Sequence, residues 1–306
     1  MRRAAVLAAA GSLLAFAPAA AAAPLSLRAS AGGQPPLVTS GQALTFVGSA
    51  PAGAAGQRVL IQLRSGRRVR ATRAVTIGRR GGFRATFVVR GEGAVNAVAV
   101  HAASASFPAF SVRSRGVRVV DPYISRGSAT PSVRVIQWEL SALGFAVPVN
   151  GVYDEATGRA LVAYRKATGM ARVEAAGPQV LASLERGAGR FHVRYPRDGR
   201  HVEANLALQL LAEIEGGRAV RVYTMSSGKP STPTVLGRFR VYRREPGTNW
   251  EGMVDSSYFY SGYAIHGYHE VPTWAASHGC LRIPIPDAPS VYAWLHLGTP
   301  VDVYYP

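Results

Sequence analysis

The only cysteine of the chain lies in the segment Ser-His-Gly-Cys-Leu-Arg at 277–282. A thiolate is a strong nucleophile, but a free thiol has a pKa of about 8.5 and needs a nearby base or positive charge to ionise at neutral pH. His278 stands two residues before Cys280, and His266 stands fourteen residues before it. Because Gly279 lets the backbone turn tightly, the N–H groups of Gly279 and Cys280 can point at a developing oxyanion. These residue types are the ones that acyl transfer through a cysteine requires.

Two histidines are candidates for the base that activates the thiol. His266 follows the strand-like run Tyr263–Ile265 and precedes Gly267, a glycine that opens space for a substrate. His278 shares a turn with Cys280, and residues two apart in an extended segment face the same way. On the residues alone, either histidine can be the base.

Simpler roles exist for the same residues. A lone cysteine is often a buried hydrophobic side chain, and a histidine is often structural. Zinc binding is a further alternative, because permitted zinc ligands occur at His266, His269, His278 and Cys280. The His-Gly-Cys spacing is not one that zinc sites customarily use, so the sequence does not predict a zinc site.

The N-terminus has the three parts of a secretory signal peptide over residues 1–23. Arg2 and Arg3 lead, an apolar run extends from Ala4 to Phe16, and small residues follow. The run is shorter than the roughly 20 residues that a membrane span needs, although an uncleaved anchor helix is an alternative. We therefore expect an exported, extracytoplasmic protein, and its single cysteine allows no internal disulfide.

The formal net charge is +18 at pH 7, and nearly all of the positive charge is arginine. A basic exported protein can be held near anionic polymers such as a cell wall, near nucleic acid or near acidic lipid. The arginines are scattered as on a solvated β-rich surface, without a clustered stripe and interleaved aromatic residues. Nucleic-acid binding is therefore not expected, and the charge indicates an anionic environment and not a binding motif.

The length predicts two or three domains after the N-terminal segment. Residues 25–120 contain five short segments rich in Val, Thr, Phe and Ile, each bounded by Gly, Ser or Pro. That spacing is typical of an all-β sandwich, which we expect to be immunoglobulin-like. Because no catalytic constellation lies in this region, it is predicted to be a structural spacer or a binding module.

Residues 121–187 are predicted to form a small bundle of three helices. Pro131, Asp154 and Pro178 mark the helix starts. The arrangement resembles the peptidoglycan-binding helical module of many wall enzymes, with the matching residues Gln137, Leu140, Leu143, Gly144, Asn150, Gly151, Val152, Tyr153, Asp154, Thr157, Ala160, Tyr164 and Gly169. The Asn-Gly…Asp stretch carries most of the resemblance, while Tyr164 stands where the family usually has Phe. A helical spacer that binds nothing is the alternative.

Residues 190–306 return to β patterning, with a tight hairpin turn at Gly216-Gly217. This region resembles the L,D-transpeptidase catalytic domain, the YkuD-type fold, through His266-Gly267, the segment 277–282, and an upstream stretch with Ser227, Gly228, Thr232, Pro233, Gly237 and Phe239. The resemblance is specific because separated motifs occur in the family's order. It implies a mainly β domain with the cysteine in a pocket under a flap, for which we expect residues 244–262.

The resemblance implies the following roles around the thiol. Cys280 would attack a carbonyl of a wall stem peptide, and His266 would accept the thiol proton. The backbone carbonyl of Gly267 would orient the imidazole. The N–H groups around Gly279 and Cys280 would form the oxyanion hole.

Further roles are implied for neighbouring side chains. His278 would support the thiolate and the loop, and Ser277 would hold the turn. Arg282 would contact a substrate carboxylate through paired hydrogen bonds, with a structural ion pair as the alternative. Tyr263 and Trp250 would line the substrate pocket, with ordinary packing as the alternative.

The reaction implied by the resemblance is the cross-linking of peptidoglycan at the cell wall. A tetrapeptide stem would lose its terminal D-alanine, form a thioester on Cys280, and pass to an amine of a neighbouring stem, and this reaction would need neither a metal nor an organic cofactor. Water as the acceptor would make the protein an L,D-carboxypeptidase, and a protein that only binds the wall is the third alternative. The implied partners are donor and acceptor stem peptides, the cell wall, and carbapenem β-lactams as inhibitors.

Overall fold

The computed structural model of the chain describes residues 25–31 and 36–305. The predicted signal peptide lies outside the described residues. This part of the chain is mostly β structure with four α-helices. None of the helices in the described ranges is long and apolar enough to cross a membrane.

The N-terminal part of the described chain consists of two β-sheets. Its strands are β1 Ser26–Ser30, β2 Leu37–Thr39, β3 Ala43–Ser49, β4 Arg58–Ser65, β5 Arg68–Thr76, β6 Gly82–Val88, β7 Gly93–His101, β8 Phe110–Arg113 and β9 Val117–Val120. One sheet has the order β1-β3-β6, and the other has the order β2-β9-β7-β4-β5 with β8 also paired to β7. The alternating residues Phe46, Ile61 and Phe87 point into the core between the two sheets. Two sheets around one core make a sandwich, while its immunoglobulin-like class and the boundaries 25–120 stay predictions.

Three helices follow: α1 Pro131–Ala142, α2 Glu155–Ala167 and α3 Pro178–Glu185. Pro131 and Pro178 occupy first helical positions, where the missing N–H of proline costs nothing. A carboxylate oxygen of Asp154 accepts a hydrogen bond from the Thr157 N–H at 2.9 Å and caps α2. The helix starts therefore lie where the sequence predicts them.

The residues that resemble a peptidoglycan-binding module hold the turn between α1 and α2. The Gln137 side chain is fully buried, and its amide nitrogen lies 2.9 Å from Asn150 Oδ1 and 2.8 Å from Thr157 Oγ1. Its amide oxygen accepts from the Gly151 N–H at 2.7 Å. These side chains thus have structural roles in the turn, since each satisfies a buried polar partner.

The C-terminal part contains two further sheets and one short helix. Its elements are β10 His201–Asn205, β11 Leu210–Glu215, β12 Arg218–Thr224, β13 Gly237–Arg240, β14 Arg243–Thr248, β15 Val254–Tyr260, β16 Tyr263–Tyr268, β17 Leu281–Pro284, α4 Ala288–Trp294 and β18 Pro300–Tyr304. The sheet orders are β12-β11-β10-β18-β13 and β14-β15-β16-β17. Residues of both sheets, among them Leu211, Ile265 and Val303, share one apolar core. The Gly216-Gly217 turn joins β11 to β12, with both glycines at positive φ.

The apolar core of the three helices continues into the C-terminal sheet, and the separate three-helix bundle stays a prediction. Ile136, Leu161 and Leu181 share one apolar core with Leu210 of β11 and Val222 of β12. Because apolar helix faces need a surface to cover them, the C-terminal sheet completes the burial of these three helices. The boundaries 121–187 and 190–306 stay predictions.

Polar side chains tie α2 to the C-terminal part. The buried Lys166 Nζ donates to the Gln209 carbonyl at 3.0 Å, to Thr224 Oγ1 at 2.6 Å and to the Met225 carbonyl at 3.0 Å. The Arg159 guanidinium donates two hydrogen bonds of 3.0 Å to the Asp287 carboxylate. The paired geometry fixes orientation as well as distance, so the helices and the C-terminal sheets are held as one packed unit.

Candidate active site

Cys280 lies at the end of a bend and directly before β17. Strand β17 runs parallel to β16, with Ile265 opposite Leu281 and His266 opposite Arg282. One residue earlier on each strand, the Ala264 N–H donates to Cys280 Sγ at 3.4 Å. The thiol is therefore held at the beginning of the β16–β17 pair.

The thiol and one histidine share a face of this strand pair. Residues two apart on a strand point to the same side, which places Ala264, His266 and Tyr268 of β16 on one face. The Arg282 guanidinium lies 4.1 Å from the centre of the Tyr268 ring, so Arg282 points to that same face. Cys280 packs against the cluster that contains Ala264 of this face. The parallel pairing thus brings His266 and Cys280 to neighbouring positions on one surface.

His266 is oriented by the backbone carbonyl that follows it. Its side chain is buried, and Nδ1 lies 2.9 Å from the Gly267 oxygen. A carbonyl only accepts, so Nδ1 carries the proton and Nε2 keeps its lone pair. Burial lowers the pKa of His266 to about 4, the Gly267 carbonyl opposes that shift, and the positive charge of Arg282 adds to it. The imidazole is therefore neutral at physiological pH and able to accept a proton.

Gly267 does not open space for a substrate, which corrects the sequence-based expectation. A Cβ at this position would lie 2.7 Å from the Ala288 side chain and 3.2 Å from the Val254 side chain. Strand β16 packs closely against α4 and β15 at this point, and a side chain would separate them. The role of Gly267 is close packing, together with the carbonyl that meets His266.

The Cys280 thiol is partly exposed and lies against apolar side chains of the β14–β15 hairpin. It packs next to the cluster of Met253, Tyr258 and Ala264, and its Sγ donates to the Gly262 carbonyl at 3.7 Å. Burial raises the pKa of the thiol and Glu251 raises it further, against the lowering effects of the Ala264 N–H and Arg282. The resting pair is therefore a neutral thiol and a neutral imidazole, not a thiolate–imidazolium pair.

This protonation state predicts slow alkylation of the resting enzyme. We expect iodoacetamide to label Cys280 more slowly at about pH 7 than it labels a free thiol with a pKa of about 8.5, because the raised pKa leaves less thiolate. The labelling rate should rise with pH beyond the range of an ordinary cysteine. Intact-mass spectra taken over time across a pH series measure the rate. A labelling rate that is already maximal at neutral pH would show an ionised thiolate and contradict the geometry.

Ser277 holds the bend before the cysteine. Its buried hydroxyl donates to the Cys280 carbonyl at 2.6 Å and accepts from the Gly279 N–H at 3.0 Å. The Ser277 carbonyl in turn accepts from the Lys229 N–H and from Thr232 Oγ1. The stretch around Thr232 therefore supports the loop that carries the nucleophile.

Thr234 is a supporting residue that the sequence reasoning missed. Its Oγ1 donates to the Gly279 carbonyl and accepts from the Gly228 N–H, both at 2.8 Å. The signal is the Thr-Pro-Thr segment, of which the family resemblance uses only Thr232 and Pro233. Met253, which packs beside the thiol, was missed as well, and no local pattern marks it.

The bend provides one free N–H beside the thiol where two were expected. The Gly279 N–H is already bound to the Ser277 hydroxyl. The Cys280 N–H makes no hydrogen bond with any residue in the described ranges. Since an oxyanion hole needs an unoccupied donor, the Cys280 N–H is the candidate donor, and Gly279 serves the turn.

Gly279 is required at its position for two reasons. Its φ is +122°, and a Cβ built on it would lie 2.1 Å from the Tyr263 ring. Tyr263 therefore lies against the nucleophile loop. Trp250 lies at the tip of the β14–β15 hairpin and is 91% exposed, so it is not ordinary packing.

Gly279→Ala is expected to displace the nucleophile loop or Tyr263, because both the φ angle and the missing space exclude a side chain. We expect a lower melting temperature and at least about tenfold slower acylation, the loss that a barrier increase of about 1.4 kcal/mol produces. Gly262→Ala is the matched control, because a Cβ there meets no atom within 4 Å. A Gly279→Ala protein with the melting temperature and acylation rate of the wild type would show that Gly279 is dispensable.

His278 does not face the thiol, which corrects the argument that placed it there. Residues 278–280 form a bend and not an extended strand, so the side-chain alternation of a strand does not apply to His278. The His278 side chain is exposed, and its Nε2 lies 3.2 Å from Lys229 Nζ. Of the two candidate bases, only His266 shares the face of Cys280.

Arg282 is almost fully buried, at 9% exposure. Its guanidinium stacks on Tyr268, and it forms no ion pair with a carboxylate in the part of the chain that the structure describes. The structural ion pair considered as an alternative is thus not found there. Its positive charge lowers the pKa of both His266 and Cys280, which is an electrostatic effect on the pair.

The residues considered for zinc do not gather into a site. His266 Nδ1 is engaged by a carbonyl, and His269 stacks on Tyr268 at 4.3 Å between ring centres. Within residues 25–31 and 36–305, no three His, Cys, Asp or Glu side chains are grouped as a metal site. The chemistry that this arrangement supports is nucleophilic attack by a thiol with a neutral imidazole as base.

We compared this chain with a family model, with solved structures and with curated protein sequences. The family model of the L,D-transpeptidase catalytic domain (YkuD) matches residues 199–303. Among solved structures, an L,D-transpeptidase from Xylanimonas cellulosilytica is 34% identical over 60% of this chain and 98% of that chain, with a TM-score of 0.55. One from Stackebrandtia nassauensis is 21% identical over 60% of this chain and 95% of that chain, with a TM-score of 0.39. No curated protein sequence matches.

Proposed function

Because this chain belongs to the L,D-transpeptidase family, we propose that it cross-links peptidoglycan stem peptides through a thioester on Cys280. The proposal rests on the shared face of β16 and β17, where Cys280 and His266 lie, and on the contact of His266 Nδ1 with the Gly267 carbonyl, which leaves Nε2 to accept a proton. A nucleophile beside an oriented base is the arrangement that covalent acyl transfer needs.

The first half-reaction forms the acyl-enzyme. Cys280 Sγ attacks the carbonyl carbon that joins the third stem residue to the terminal D-alanine, and the thiol proton moves to His266 Nε2. The oxyanion of the tetrahedral intermediate accepts from the Cys280 N–H. The C–N bond then breaks, the imidazolium gives its proton to the departing amine, and D-alanine leaves.

The second half-reaction transfers the acyl group. An amine of a second stem attacks the thioester carbon, His266 accepts a proton from that amine, and the C–S bond breaks. The proton returns from the imidazole to the thiolate, which restores the neutral pair. In each step one proton moves between His266 and either the thiol or an amine, so this proposal needs no cofactor.

The surroundings of the thiol favour an amine over water as the acceptor. Met253, Tyr258 and Ala264 place apolar surface against Cys280, which limits the access of water to a thioester. Hydrolysis, which would make the protein an L,D-carboxypeptidase, is the second candidate. A wall-binding protein without activity is the third, and the oriented His266 beside a partly exposed thiol argues against it.

The remaining predictions concern location and partners. Export through residues 1–23, wall binding by residues 121–187, and acylation of Cys280 by carbapenems belong to the proposal. Tyr263 and Trp250 are proposed to contact the stem peptide, and the position of Tyr263 beside Gly279 supports its part. Because Lys166 and Arg159 fix the helices to the C-terminal sheets, wall binding there would hold the thiol at a set distance from the bound strand.

The direct test uses residues 24–306 and a purified disaccharide-tetrapeptide, with products identified by mass spectrometry. A cross-linked dimer that has lost one D-alanine supports transpeptidation, and its absence in Cys280→Ala assigns the nucleophile. A tripeptide alone would establish the carboxypeptidase. An unchanged tetrapeptide, with the protein still bound to sacculi, would contradict the catalytic proposal and support the binding protein.

A further inference from the structure

The positive charge of the protein is concentrated in the N-terminal sandwich. Residues 25–120 contain 14 arginines and no lysine, against a single acidic residue, Glu92, for a net charge of +13. Residues 121–306 contain 19 Lys and Arg against 16 Asp and Glu, for a net charge of +3. The sandwich and the rest of the molecule therefore present very different surfaces to a charged partner.

Eight of these arginines follow one open edge of the sandwich, where β5 of one sheet lies beside β6 of the other. We call this surface the arginine edge; it comprises Arg67, Arg68, Arg70, Arg73, Arg79, Arg80, Arg84 and Arg90. Arg70 Nη2 donates to the Arg90 carbonyl at 3.4 Å, which connects the two sheets. Arg73 and Arg84 line one groove of about 490 Å³. The edge is therefore a continuous surface and not a set of unrelated positions.

The arginine edge has no counter-charge within the described ranges. All eight side chains are exposed, and none takes part in an ion pair there. The carboxylate of Glu92 accepts from the Ser132 N–H at 3.1 Å, at the start of α1. Like charges on one surface repel one another, so an anionic partner would relieve a cost that the fold leaves in place.

Protection of an edge strand is a simpler reason for charge in this place, because charged side chains prevent edge-to-edge pairing. That reason applies to β5 and to β6, because each strand ends its sheet and has one unpaired side. It does not account for Arg79 and Arg80, which lie in the turn between these two strands.

We propose that the arginine edge binds a linear phosphodiester polymer that has no aromatic bases. The guanidinium offers paired N–H groups that fit two phosphate oxygens, which lysine does not. A polymer with one charge in each short repeat can neutralise many arginines at once and release its counter-ions. Stem-peptide carboxylates are spaced more widely along a glycan strand.

The absence of exposed rings excludes base stacking, by which single-stranded nucleic acids are usually held. The sandwich has no Tyr or Trp, and its five phenylalanines are buried or half-buried within the described ranges. Single-stranded nucleic acids are held by stacking on aromatic side chains in addition to charge. This inference goes beyond the proposed acyl transfer and does not depend on it.

The test measures binding to the Cys280→Ala protein, so that its result is independent of catalysis. The probe is end-labelled poly(glycerol phosphate), and fluorescence anisotropy is recorded across a salt series. Poly-glutamate and single-stranded oligothymidine are the carboxylate and nucleic-acid comparators. We expect Kd to be lowest for poly(glycerol phosphate) and to rise steeply with salt.

Four substitutions locate the surface. R70Q/R73Q/R84Q/R90Q is expected to weaken binding more than tenfold and to reduce the slope of log Kd against log salt concentration by about 3. The matching Arg→Lys variant should keep most of the slope but lose affinity, because the paired contacts are lost. The control R186Q/R190Q/R197Q/R218Q removes the same charge from exposed arginines outside the sandwich and should bind nearly as the parent does.

Three results would overturn the proposal. Tighter binding of poly-glutamate would assign the edge to carboxylates, and tighter binding of oligothymidine would assign it to nucleic acid. Equal weakening by the control variant would show that only net charge matters. Melting temperatures of all variants verify that the sandwich remains folded.

Discussion

His266→Gln is expected to slow the acylation of Cys280 by about 10²–10⁴-fold, the usual contribution of a general base. The pH profile should change as well. Because the pKa of His266 is about 4 and that of the thiol is raised, the wild-type rate should be nearly constant between about pH 5 and about pH 8. In the variant only preformed thiolate reacts, so its rate should rise about tenfold for each pH unit over that range.

Intact-mass spectrometry of carbapenem adducts at several pH values gives both rates. His278→Gln is the informative comparison, because it makes the same substitution at the histidine that faces Lys229. We expect that variant to keep the flat profile. A sloping profile in His278→Gln together with a flat one in His266→Gln would transfer the role of base to His278.

Glu203→Gln is expected to lower the free energy of unfolding by about 3 kcal/mol or more, as the loss of one partner from a buried charge network does. Glu203 is fully buried on β10. Its carboxylate accepts from the Arg194 N–H at 3.0 Å, the Tyr195 N–H at 2.7 Å and the Tyr304 hydroxyl at 2.8 Å. The His201 Nε2 lies 3.3 Å away. The side-chain amide of the glutamine in the variant would offer only one acceptor oxygen, and its NH₂ group would face the hydrogen-bond donors that surround the carboxylate in the wild type.

The pH dependence identifies the same network. Burial raises the pKa of Glu203, but its hydrogen bonds outweigh burial and lower it. The ionised Glu203 carboxylate therefore stabilises the fold fully above pH 4.5, the ordinary pKa of a glutamate, and this stabilisation is lost as the pH falls through the lowered pKa. Burial lowers the pKa of His201, yet its hydrogen bonds to Glu203 and Gly199 raise that pKa overall. The protonated His201 therefore stabilises the fold fully below pH 6.5, the ordinary pKa of a histidine, and this stabilisation is lost as the pH rises through the raised pKa. The difference between wild type and variant should be greatest between 4.5 and 6.5.

Glu213→Gln is the matched control for urea unfolding at several pH values. Glu213 is equally buried on the neighbouring β11, but burial raises its pKa to about 7 against the charge of Arg221. Its carboxyl is therefore largely protonated below that pH and resembles an amide. We expect a loss of less than about 1 kcal/mol at acidic pH. Similar losses for both variants would mean that Glu203 is not the anion of this network.

The residue types around Cys280 determine the class of chemistry by themselves. A single thiol, two nearby histidines and a glycine before the cysteine leave only a few reaction types for this segment. All of these residues lie close together in the chain. The helix starts at Pro131, Asp154 and Pro178 were predictable for the same reason, because capping and proline geometry depend on neighbouring residues.

The choice between the two histidines was decided only by the tertiary structure. It depends on the parallel pairing of β16 with β17 and on the bend at 278–280, in which the His278 side chain lies beside Lys229. The contributions of Thr234 and Met253 likewise come from segments distant in the chain. So does the shared core that joins the helices to the C-terminal sheet.

Local sequence determines which groups are present and which short elements they form, because propensities and caps act over a few residues. The protonation states and the arginine edge depend on what packs against what. Burial lowers the pKa of His266 and raises that of Cys280, and burial is a property of the assembled sheets. Arginines that are dispersed along residues 67–90 become one surface only when β5 and β6 lie side by side.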